Sequence, residues 1–80
     1  MIKKKKIRID SIQTAKELVL LAGQCDFDIR IFYNQFIVDA KSILGVLSLD
    51  LAKDLTVEFD GNDRMLETFL DTVDAAKAVA

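Results

Sequence analysis

The sequence predicts an α+β fold of order βαββαβα, in which a four-stranded antiparallel sheet carries two long helices and one short helix on one face. Three observations predict it. Residues 28–40, "DIRIFYNQFIVDA", read as a hairpin with matched faces. Two stretches, 12–22 and 66–76, place apolar residues at helical spacing. The 80 residues contain no proline, no repeat and no low-complexity linker, so residues 1–80 form one domain.

The first strand is predicted at Lys5 to Ile9, with Ile7 and Ile9 on one side and Lys6 and Arg8 on the other. Asp10 then stands where a helix N-cap is expected, and Gln13 three residues later completes a capping box. The helix that follows aligns Ile12, Ala15, Leu18, Val19 and Ala22, and Gly23 is the expected stop. A turn at Asn34-Gln35 pairs Tyr33 with Phe36, Ile31 with Val38 and Ile29 with Ala40 on one face of the hairpin. On the other face it pairs Phe32 with Ile37 and Arg30 with Asp39. Apolar residues oppose apolar ones and plus opposes minus in a single register, which is the agreement that specifies strand pairing. Gln35 sits where a two-residue turn prefers glycine, which suggests a slightly longer turn.

Ser42 caps a short apolar helix running to about Leu49. So short an element cannot turn Ile43, Leu44, Val46, Leu47 and Leu49 all inward, and some of them are expected to face solvent. "LTVEFD" is the fourth strand, with Leu55, Val57 and Phe59 inward and Thr56 and Glu58 outward. "DGND" turns the chain, Asn62 or Asp63 caps the last helix, and Leu66, Phe69, Leu70, Val73 and Ala76 form its inner stripe.

Composition narrows the function classes. Half the residues are apolar (51%), enough for a core in a chain this short. The single cysteine, Cys25, excludes an internal disulfide and reads as a small buried hydrophobe in a reducing compartment. The N-terminal run lacks the apolar stretch of a signal peptide, and no window approaches a membrane span. The expectation is a cytoplasmic protein with no membrane contact. Net charge is −2, yet residues 1–9 hold Lys3, Lys4, Lys5, Lys6 and Arg8 with no acid. We read them as a charged edge strand paired with acidic neighbours rather than as a nucleic-acid arm, because the rest of the chain is acidic and would repel phosphates. There is no histidine, no Ser/His or Cys/His pair, no phosphate-binding glycine loop and no set of metal ligands. Asp60 with Asp63, and Asp26 with Asp28, read as turn and capping residues. The expectation is a non-enzyme with no catalytic residues, no metal and no cofactor. The order βαββαβ is also that of RNA-recognition domains, but "LTVEFD" lacks their stacking aromatics and carries an acidic outer face.

The segment "AKSILGVLSLDLAKD" resembles the regulatory-serine signature, K-S-I-M-G-V-M-S-L, of HPr, the histidine-containing phosphocarrier family of the bacterial sugar phosphotransferase system. The order of elements and "DFDIRIFYN" are similar too, and the likeness runs from about Ala15 to the end of the last helix. The resemblance implies an open-faced β-sandwich. It does not extend to the front loop, where the family carries its phosphorylated histidine in G-x-H-A-R-P-A. Here "RIDSIQTAKEL" lacks the glycine, histidine, arginine and proline, and the connection over Asp10 to Thr14 is shorter. Counting back from Ser42 puts Ser11 near the histidine's place. A serine phosphate ester is kinetically stable, whereas the P–N bond to imidazole releases its phosphate readily. Imidazole also titrates near neutrality, which no hydroxyl does.

The chain therefore resembles a histidine-less member of the class, such as the catabolite-repression HPr-like protein. That resemblance implies regulation through phosphorylation of Ser42, with Lys41, Ile43, Leu44 and Leu47 as the surrounding protein-binding patch. It implies a protein partner, either the HPr kinase or a transcriptional regulator of sugar catabolism. Two other readings stand beside it: a plain interaction or oligomerisation module without phosphorylation, and an RNA-binding domain. Phe32 and Ile37, paired on the outer face, are the candidate contact for weak homo-oligomerisation.

Overall fold

Five strand residues at Lys3–Ile7 (β1), five at Ile29–Tyr33 (β2), four at Phe36–Asp39 (β3) and five at Leu55–Phe59 (β4) pair into one antiparallel sheet of order β1-β4-β2-β3. Helices span Ile12–Gly23 (α1), Ile43–Leu47 (α2) and Arg64–Thr72 (α3), followed by a 3₁₀ turn at Ala75–Lys77. The structure is a computed structural model, and it describes residues 1–77. All three helices lie on one side of an open sheet, which is the predicted α+β architecture.

The core lies between the helices and the inner sheet face. Alternation along the strands puts Ile7, Leu55, Val57, Ile29 and Ile31 inward, where they meet Leu18, Val46, Leu66 and Leu70, and all nine are fully buried. Ala15 and Ala22 keep the inner face of α1 small and are also fully buried. Buried positions carry no polar or charged side chain among the described residues.

The hairpin has the predicted register: Arg30 opposes Asp39, Ile31 Val38, Phe32 Ile37 and Tyr33 Phe36. The Ala40 amide donates to the Ile29 carbonyl (2.9 Å), which extends that register by one pair. The turn needs no extra residue, because only Asn34 adopts a left-handed φ (52°), a conformation asparagine tolerates. On the open face the pairings form a row of alternating charge across all four strands, Lys4–Glu58–Arg30–Asp39. The next row is Lys6–Thr56–Phe32–Ile37.

Several boundaries differ from expectation. The first strand lies at Lys3–Ile7, two residues earlier than Lys5 to Ile9. After Ile7 opposes Leu55, the Arg8 amide leaves the ladder and donates to the Val73 carbonyl (2.9 Å). Ile9 is buried even so, as part of the descent into α1. As a β1 edge strand the lysines do meet acids: Lys3 with Glu67 (3.0 Å), Lys4 with Glu58 (3.6 Å) and Lys5 with Asp71 (2.7 Å) and Asp74 (3.3 Å).

The cap of α1 is Ser11, not Asp10. Ser11 Oγ accepts the Thr14 amide (3.1 Å), and Asp10 accepts the Thr14 hydroxyl instead (2.9 Å). Ile12 is 59% exposed, because helical side chains lean towards the N-terminus and the first one has no turn beneath it. Gly23 is the last residue of α1 and Gln24 its right-handed cap, so no left-handed glycine ends the helix. α2 ends at Leu47 rather than about Leu49, with Ser48 as its cap. α3 is capped by Asp63 and stops at Thr72, and Ile7 bridges to Asp74. The chain is thereby pulled back to β1, and Ala76 lies exposed on the 3₁₀ turn rather than on the inner stripe.

Candidate functional site

Ser42 stands at the head of α2, and the chain before it explains its placement. Asp39 ends β3 and folds the backbone over itself. Its carboxylate accepts the Lys41 amide (2.9 Å) and its carbonyl accepts the Ser42 amide (3.0 Å). Ser42 is extended (φ −105°, ψ 113°), and its Oγ accepts the Gly45 amide at 3.1 Å while its carbonyl accepts from Val46 at 3.0 Å. This is a complete N-cap on a side chain that stays exposed. Gly45 gives a close approach: a Cβ there would come within 3.3 Å of both Val38 Cβ and Ser42 Oγ, so any larger residue would make α2 or β3 give way by a few tenths of an ångström.

The five apolar residues of the segment divide as a short helix requires. Val46 and Leu49 are buried and Ile43 is half-buried, while Leu44 is 80% and Leu47 37% exposed. Ser42, Leu44 and Leu47 thus crop out together around α2. Lys41 is placed differently from the simple picture of a cation beside the serine. It is half-buried, and its ammonium donates to the Cys25 carbonyl at 2.9 Å, tying the entry of α2 to the end of α1. Sequence reasoning missed this bond because its partners are 16 residues apart and one is a backbone carbonyl. Cys25 is buried, as expected; its thiol donates to the Leu21 carbonyl (3.4 Å), and burial pushes its pKa up.

Ser11, the residue counted to the histidine's place, caps α1. Its hydroxyl lies 3.0 Å from that of Thr14, which in turn donates to Asp10. The groups of that cluster are two hydroxyls and a carboxylate, and no imidazole nitrogen stands among them. Beside it opens a cleft of about 400 Å³ lined by Arg8, Asp10, Glu17, Asp74 and Lys77 among others. Arg8 spends its guanidinium on Asp54 (3.2 Å) and the Ala52 carbonyl (3.1 Å). Sequence reasoning also missed a groove of about 590 Å³ between α1 and α3, where Leu20 and Met65 are 68% and 65% exposed. The available signal was that both fall outside the inner stripes of their helices.

With this geometry established, the comparisons with known proteins bear on both ends of the molecule. The family model described as "PTS HPr component phosphorylation site" matches residues 11–78. The chain is similar to the phosphocarrier protein HPr from Bacillus anthracis str. Ames, with 26% identity and a TM-score of 0.70 over 92% of this chain and 96% of that one. It also shares its fold with HPr-C-His from Thermoanaerobacter tengcongensis, at 20% identity and a TM-score of 0.65 over 90% of this chain and 88% of that one. The family model covers most of the chain and the fold is shared with solved HPr structures, and the chain belongs to the HPr family of the phosphotransferase system.

Proposed function

We propose that this protein is a regulatory, protein-binding HPr that has lost the phosphocarrier histidine and is switched by phosphorylation of Ser42. The observation that carries this reading is the combination at α2: an exposed serine hydroxyl at a helix start, flanked by the exposed Leu44 and Leu47. The chain has no histidine, the hydroxyl counted to that place is Ser11, which caps α1, and the Asp10 carboxylate beside it is held by the Thr14 hydroxyl. Phosphate relay from one protein to the next requires a good leaving group, which a serine ester is not. A stable ester suits a switch instead.

Phosphorylation would add roughly two negative charges at Ser42. The amides at the start of α2 favour an anion there, so the fold tolerates the change. A partner with an arginine cluster beside an apolar groove would then distinguish the modified surface from the unmodified one. Lys41 supports the site by anchoring α2 to α1, and Ile43 by half-burial under the patch. By family resemblance the partner is the HPr kinase or a transcriptional regulator of sugar catabolism. The site has no catalytic role in this reading and needs no cofactor.

The patch is tested by measuring binding of that regulator to Ser42-phosphorylated protein, parent against Leu47→Lys. Leu47 is not part of the core, so the variant folds, and its affinity falls by about tenfold or more, ~1.4 kcal/mol. Equal binding by both proteins would remove the patch from the proposal. Binding that ignores phosphorylation yet is lost in Leu47→Lys would instead identify a plain interaction module.

A further inference from the structure

The two edges of the sheet are built differently. β1 presents four consecutive lysines, Lys3 to Lys6, three of them ion-paired to acids. Lysines along an edge resist pairing with another strand. β3, the opposite edge, reads Phe36-Ile37-Val38-Asp39 and has no lysine. Its Phe36 is 54% and its Ile37 58% exposed. α2 packs against Val38 on the inner side of the sheet and leaves the outward edge open.

The hydrogen-bond pattern shows which groups that edge offers. In an antiparallel pair, alternate residues exchange bonds with the partner strand and the others point away. Ala40 bonds to Ile29, so Ala40, Val38 and Phe36 face β2, while Ile37 and Asp39 turn their amides and carbonyls outward. The Asp39 carbonyl is taken by Ser42 (3.0 Å). Ile37 is left with both an outward N–H and an outward C=O.

We infer that β3 is a self-pairing edge: two copies of this chain join antiparallel through β3 about a twofold axis at Ile37, making a continuous eight-stranded sheet. Residues directly opposite in such a pair lie on the same face, which restricts the registers. With the axis at Ile37, the Ile37 residues of the two copies exchange both their N–H···O=C bonds, and Phe36 of each copy opposes Val38 of the other. All three strand pairs are then apolar, and Asp39 falls opposite Gln35. Moving the axis to Val38 sets Asp39 against Ile37, and moving it to Asp39 sets like charges together. An axis at Phe36 sets Ile37 against Gln35 in the turn. Only the Ile37-centred register is apolar throughout. The contact is a short strand, well below the roughly 1,200 Å² of stable interfaces, so the dimer is weak and concentration-dependent. This inference does not depend on the role of Ser42.

Sedimentation equilibrium up to roughly millimolar protein tests it, since weak pairs associate in that range. The parent's mass rises from monomer towards dimer, and both Ile37→Lys and Ile37→Pro stay monomeric. Proline at an outward-facing N–H costs no bond to β2, and circular dichroism verifies the fold of each variant. Register is tested by air oxidation of Cys25→Ala/Ile37→Cys. Opposed residues in a hydrogen-bonded pair have Cα atoms about 5.5 Å apart, within disulfide reach. That variant forms a covalent dimer at least about tenfold faster than Cys25→Ala/Leu44→Cys, whose exposed thiol meets its counterpart only by collision. A parent that stays monomeric, dimerisation of Ile37→Pro equal to the parent's, or cross-linking no faster than the Leu44→Cys control would overturn it.

Discussion

Replacing Ser42 with alanine isolates the structural part of that residue's role, and its cost follows from a single bond. Ser42 Oγ accepts the Gly45 amide at 3.1 Å, and the side chain is exposed, so no packing is lost with it. Loss of a serine cap costs about 1 kcal/mol. For a domain of this length that is a fall in Tm of roughly 4–8 °C. Ser42→Asp retains an acceptor for the same amide and adds a negative charge where the helix amides favour one, so it stays within about 0.5 kcal/mol of the parent. Urea unfolding followed by circular dichroism reads both values, with an unchanged slope showing that the unfolded states are comparable. An alanine variant as stable as the parent, or an aspartate variant as weak as the alanine one, would refute the cap as described. It would also remove the argument that the fold tolerates a phosphate there.

Three further outcomes follow from the same structure. Gly61→Ala destabilises by about 1–3 kcal/mol, because its Cβ would lie 2.6 Å from Phe27 Cγ and push that ring off its stack on Phe59 (centroids 5.8 Å apart). Gly23→Ala, where a Cβ meets nothing within 4 Å, is the contrasting control in the same urea titration and is neutral or stabilising. Lys3, and then the Asp63 amide, hold the Glu67 carboxyl below the ordinary glutamate value, and the Ala76 amide followed by Lys5 does the same for Asp74. Their folded pKa values are depressed, so their stabilisation is complete above the unfolded value and is lost as pH falls through the folded one. Glu67→Gln therefore has a shallower acid limb in a plot of urea midpoint against pH, and an unchanged limb would contradict the assignment. Incubation with labelled phosphoenolpyruvate and the general phosphotransferase enzyme leaves the chain without label, and a stoichiometric acid-labile label would show that it still relays phosphate.

The parts legible in the sequence were those where two independent constraints coincided. The β2–β3 register followed because apolar pairs and the Arg30–Asp39 pair demanded the same alignment on opposite faces. That some apolar residues of α2 face solvent followed from counting them against the surface that a short helix can bury, whereas the choice of Ile43, Leu44 and Leu47 came from the resemblance, and Ile43 is half-buried. Boundaries failed where one constraint admitted two solutions. Alternation of Ile7 and Ile9 describes a strand ending at either residue, and only the Arg8–Val73 bond decides. Asp10 and Ser11 are both good caps, and the backbone chose the second. Ala76 continues the α3 stripe in sequence, but the bridge from Ile7 to Asp74 ends the helix first. At the candidate site, the cap at Ser42 was local and readable. The tether from Lys41 to Cys25 was not, since nothing in residue type announces a bond to a distant carbonyl.

The measurement that bears most directly on the account is the site of phosphorylation. The chain is incubated with ATP and an HPr kinase active on ordinary HPr, and the phosphate is located by mass spectrometry. The account predicts one acid-stable phosphate per chain, on Ser42 and absent from Ser42→Ala. An unmodified Ser42 under conditions that fully modify ordinary HPr, or a phosphate at Ser11 in its place, would contradict it.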